Sequence, residues 1–129
     1  MKNDVQIMKE VQEYILASAL ADEVTGVIKI ARRPRDSRQE DVIVTVLANE
    51  NGQIQQVTVN VNIYVRDLDS GNQKDLDKDR LDTLAGMAQE IFEVFRGSDY
   101  RARLLSQRIT AIEDEHVITN KIEYKQVNE

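Results

Sequence analysis

The sequence predicts an α+β fold, a mainly antiparallel sheet of about five strands with two helices packed on one face, in the order α-β-β-β-α-β-β. Three observations predict it. Residues 57–66 alternate apolar and polar side chains without a break, the period of a strand with one buried face. Residues 5–20 and 78–96 instead repeat apolar side chains every three or four positions, the period of a helix lying on a core. Finally, 129 residues with 41% hydrophobic content suffice for one core, so a single domain is expected over residues 1–129.

The first helix carries Ile7, Met8, Val11, Tyr14 and Ile15 on one stripe, with Asn3 or Asp4 to cap its start. Its end imitates a secretion signal with Ala-x-Ala at Ala19-Leu20-Ala21. Asp4, Glu10 and Glu13 stand where such a signal needs positive charge, so this helix is expected to stay on the protein. Residues 24–30 are dominated by β-branched side chains and read as a strand, with Gly26 leaving room for a bulge. Residues 31–40 hold the only proline, Pro34, and have no periodicity, which predicts an exposed, mobile loop.

A second strand follows at 41–47, and Asn51-Gly52 signals a hairpin into the alternating strand. There Val57, Val59, Val61, Ile63 and Val65 face the core; a slip of one residue would expose all five. Residues 67–77 form a polar connection with a turn at Ser70-Gly71-Asn72. The second helix, 78–96, buries Leu81, Leu84, Ala85, Ala88, Ile91, Phe92 and Phe95. Asp75, Asp77 and Asp79 suit its positive end, and Arg96 with Gly97 suits its stop. Two strands, 104–113 and 116–126, close the domain around an acidic turn at Asp114-Glu115.

Composition narrows the chemistry. With no Cys and one His, His116, the chain has no thiol nucleophile, disulfide or thiolate metal site; no catalytic, cofactor-binding or metal-ligating residue is assigned. Asp67-x-Asp69-x-Gly71 imitates a calcium loop, but the sixth and twelfth positions are Asn72 and Lys78 where Gly and Glu are required. His116 follows Glu113-Asp114-Glu115 without any nucleophile motif and reads as a surface residue. A balance of 17 Lys+Arg against 23 Asp+Glu, a net charge of −6, four Tyr, two Phe and no Trp speak against specific nucleic-acid recognition. No run of 18 apolar residues is present to span a membrane.

Charge is unevenly placed along the chain. Arg32, Arg33, Arg35 and Arg38 crowd the loop; Asp67, Asp69, Asp75, Asp77, Asp79 and Asp82 crowd the segment before and into the second helix; Arg96, Arg101, Arg103 and Arg108 follow it. Such segregation gives one subunit two complementary faces and suits head-to-tail contacts between identical copies. Arg32, Arg33, Arg35, Arg38, Asp67, Asp69 and Asp75 are therefore the candidate interface residues.

The order of elements, the strand ending Val61-Asn62-Ile63-Tyr64-Val65-Arg66-Asp67, the helix with Arg80-Leu81-Asp82-Thr83-Leu84 and the C-terminal strand pair resemble the tail terminator, or tail completion, proteins of long-tailed bacteriophages, the lambda-like family. The resemblance runs over nearly the whole chain and rests on order, spacing and size. It implies a non-enzymatic subunit of a phage or prophage virion tail, made in the host bacterial cytoplasm, that assembles into a hexameric ring. Its partners would be further copies of itself, the tail tube protein and the head–tail connector protein. The Arg-rich loop with Pro34 matches no signature of that family. The alternatives are a neck or head-completion protein of the same particle, or a small α+β ligand-binding domain or enzyme.

Overall fold

Asn3 accepts from the Gln6 amide while Gln6 reaches back to the Asn3 amide, a reciprocal cap that starts helix α1, Asp4–Leu16, and turns Ile7, Met8, Val11 and Ile15 inward. The computed structural model describes residues 1–70 and 73–127. The expected single helix over 5–20 is two: Ser18 takes an extended backbone, donates its hydroxyl to Ile15 O at 2.6 Å, and restarts the chain as α2, Ala19–Glu23.

Strand β1 is only Ile28–Ile30, not the whole of 24–30, because Thr25 to Val27 are spent on contacts to Glu40 and Asp41. Gly26 lies so close to the Asp41 carboxylate that a Cβ there would collide with it. Strand β2 spans Val42–Glu50 and β3 spans Ile54–Arg66, paired antiparallel with Val44 opposite Val61 and an extra residue, Leu47, at a bulge. Val57, Val59, Val61, Ile63 and Val65 are all buried, as the alternation requires.

The polar connection contains a hairpin that the sequence did not announce, β4, Leu68–Ser70, against β5, Gln73–Asp75; Gly71 and Asn72 of the expected turn lie outside the described residues. Asp77 caps α3, Lys78–Phe92, by accepting from the Arg80 amide. That helix ends at Phe92, four residues early. Val94–Arg96 turns into a strand, β6, and Phe95 buries its ring against Tyr14, Phe92 and Tyr100 from extended backbone. The last two strands are β7, Tyr100–Ile112, with an extra residue at Leu105, and β8, Glu115–Val127.

The described residues thus form an α+β fold with three helices, a sheet of six strands in the order β1-β2-β3-β8-β7-β6, and the separate β4–β5 pair. Only β1 runs parallel to its neighbour. The helices cover one face of the sheet, where Leu20, Leu84, Ala88 and Phe92 meet Val44, Val61, Ile118 and Ile122 in a single core. Register then brings the 31–41 loop, the end of β3 and the β7–β8 turn to one end of the sheet: Val42 pairs Ile63, and Arg66 pairs Glu115, which pairs Ile112.

Candidate assembly interface

The 31–41 loop crosses the outer face of the sheet and is tied down by its own second arginine. Arg33 donates from Nε to Asp41 at 2.7 Å, from its two terminal nitrogens to Glu115 at 2.8 Å each, and to Gln39 O at 2.8 Å; its plane lies 4.2 Å over the Tyr64 ring. From α3, Arg80 holds Glu40 and Glu23 at 2.6 Å each, fixing the loop's far end. Burial alone pushes the Asp41 carboxyl up, but the Ser37 hydroxyl, Arg33 and the Val27 amide outweigh it and hold the group below the usual carboxylate range. Ala31 and Asp36 stay at φ 70° and 57° under these restraints. The expected free, mobile loop is instead a pinned one.

Pinning divides the four candidate arginines. The guanidinium groups of Arg32, Arg35 and Arg38 are exposed and have no partner among the described residues, whereas Arg33 spends its guanidinium within the chain. Asp67 is likewise committed: its carboxylate shares a 2.6 Å contact with His116 Nδ1, and its amide donates to Asp114 O. His116 therefore ties β8 to the root of the β4–β5 hairpin rather than standing free on the surface. Asp69 pairs with Lys74 at 3.4 Å, and Asp75 caps the Leu76 amide; both remain exposed. Glu115 and His116, adjacent on β8, thus hold Arg33 and Asp67, so the basic loop and the acidic connection sit side by side at one end of the sheet instead of on opposite faces.

Two other surfaces are opposed across the molecule. Cross-strand pairing places Arg101, Arg103, Arg108, Lys121 and Lys125 together on the outer face of β7 and β8. The two carboxylates of that face are already occupied, Glu115 by Arg33 and Glu123 by Arg103 and Lys125; the Arg103 hydrogen bond holds Glu123 below the usual carboxylate range. On the helical side, Asp79, Asp82, Glu90 and Glu93 are exposed and unpaired among the described residues. A subunit of net charge −6 is thereby polarised, basic on one layer and acidic on the other. The basic segment 96–108 and the acidic start of α3 were legible as charge runs; that they point to opposite sides follows only from the strand register.

Among the described residues no helix is long and apolar enough to cross a membrane, and no three His, Asp or Glu side chains are grouped to hold a metal ion. No family model matches the chain, and a search of curated proteins finds no match.

Proposed function

We propose that the chain is a non-enzymatic structural subunit that joins copies of itself head to tail into a closed ring, working as a tail terminator of a phage or prophage particle between the tail tube and the head connector. The observation that carries this reading is the polarity of the two layers. A ring needs two different, mutually complementary surfaces on each subunit. Arg101, Arg103 and Arg108 on the outer sheet face and Asp79, Asp82 and Glu90 on α3 supply opposite charges on opposite sides. Exposed Arg32, Arg35 and Arg38, on the loop at the end of the sheet, are available to a protein stacked above or below the ring.

Light scattering on a sizing column and negative-stain microscopy test the reading at low salt. Rings with a central hole, or a discrete oligomer that binds purified tail-tube protein, are expected. A monomer at every concentration, with and without tube protein, overturns it.

A further inference from the structure

One edge of the sheet is short and partly occupied, and near the other a long stretch of β7 is open. At the β1 edge, Gln12 donates to Ile28 O at 2.9 Å and the Arg32 amide donates to Ile30 O, so both outward carbonyls of that three-residue strand are engaged. At the opposite edge β6 covers only Arg101, Ala102 and Arg103 of a 13-residue strand. Beyond the bulge at Leu105, residues 106–112 form a regular edge that no described backbone pairs, about 24 Å long at ~3.4 Å per residue. Ile109 and Ile112 beside it are 45% and 50% exposed. An uncovered strand of this kind is a template for another strand, and proteins that stay single guard it with Pro, Lys or inward charges. Here the only charge is Arg108, which points to the outer face.

We infer that this edge is completed by the same edge of a second copy, β7 against β7 across a two-fold axis at Ile109. The other free edges, β1 and β6, are three residues each, so the long edge on which a second copy can extend the sheet is β7, and two identical edges pair antiparallel about a two-fold axis. Ile109 is the midpoint of the 106–112 slot, so a pairing centred there fills the space between β6 and the hairpin turn. It sets Ile109 against its own copy, Gln107 against Ala111 and Arg108 against Thr110. Centring on Arg108 instead would oppose two guanidinium groups. The inference rests on the open edge and not on the ring; with a head-to-tail contact as well, it gives a double ring with dihedral symmetry.

The chain has no cysteine, which makes the test direct. A residue on the axis of an antiparallel pair meets itself at a Cα separation of about 4.5–5.5 Å, within the disulfide range of about 4.4–6.8 Å. Ile109→Cys is expected to give covalent dimers under mild oxidation, and Lys9→Cys, exposed on α1, to stay single. Ile109→Lys, folded by circular dichroism, is expected to halve the native mass. An unchanged mass in Ile109→Lys, or equal cross-linking of the two cysteine variants, overturns the inference; if rings persist unchanged, the ring reading survives it. A wild-type dimer that never forms rings, but halves with Ile109→Lys, supports the inference and overturns the ring.

Discussion

Arg33 and Asp41 meet at 2.7 Å across eight residues of loop, and the Asp41 carboxylate they share with Ser37 and the Val27 amide is 1% exposed. Removing the guanidinium leaves that carboxylate buried and short of its counter-charge. Arg33→Ala is expected to cost on the order of 3–5 kcal/mol, read as a lower urea midpoint with an unchanged slope. Arg33→Lys should recover only part, since an ammonium can neither fork onto Glu115 nor stack on Tyr64. Arg35→Ala, at an exposed and unpaired neighbour, should stay within about 0.5 kcal/mol of wild type.

The same pair sets an acid dependence. The Asp41 pKa is lower folded than unfolded, so its contribution to stability is complete above the unfolded value of about 3.9 and is lost as the pH falls through the folded value. Wild type should therefore lose stability steeply below about pH 4. Arg33→Ala, starting lower, should show a shallower acid limb in urea titrations at stepped pH. Parallel limbs would place the acid sensitivity elsewhere.

At high pH the tyrosines near the N-terminus dominate. Burial, then the Glu10 carboxylate, raises Tyr124, whose hydroxyl donates to Glu10 at 2.6 Å and accepts from Lys2; burial pushes Tyr100 up to about 12 and also raises Tyr14. Each group holds its proton more tightly folded than unfolded, so stability is full below about pH 10 and falls as the pH rises past it. Absorbance at 295 nm and far-UV dichroism should show tyrosinate from these three appearing together with loss of structure. Their ionisation in a chain that keeps its native dichroism would contradict the packing.

Ten alternating residues made β3 legible, and the three- and four-residue spacing made α1 and α3 legible, because each pattern follows from one buried face. The end of α3 was not legible: Phe92 and Phe95 keep helical spacing, yet Phe95 reaches the same aromatic cluster from a strand. The β4–β5 hairpin has no alternation to reveal it. Among the candidate site residues, charge type was readable and direction was not. Nothing local to Arg33 distinguishes it from Arg32, since its partner Glu115 lies 82 residues away, and Arg80 reaches Glu40 across 40.

Val61 tests the register on which every face assignment depends. It is fully buried on the helical side of β3, and Asn120 donates to its carbonyl at 3.1 Å. Val61→Asp forces a carboxylate into that core and should cost several kcal/mol, enough to unfold a domain of about 5–15 kcal/mol stability under mild conditions. Gln56→Asp, at an exposed position on the outer face of the same strand opposite Lys125, should retain a cooperative thermal transition. Wild-type melting of Val61→Asp would refute this register.

The polarised layers make the sharpest prediction about assembly. Reversing Arg101, Arg103 and Arg108 to Glu leaves a subunit acidic on both sides, and reversing Asp79, Asp82 and Glu90 to Lys leaves one basic on both sides. All six side chains are exposed, so both variants should fold. Neither should self-associate, because like charges now meet at every head-to-tail contact. Mixed at equal concentration, the two should assemble, since each acidic sheet face then meets a basic helix face and the reverse. Native mass spectrometry would show equal numbers of both chains. Assembly should weaken as salt rises and the screening length shrinks below about 8 Å. If each variant alone assembles as wild type does, the layers are not the contact surfaces.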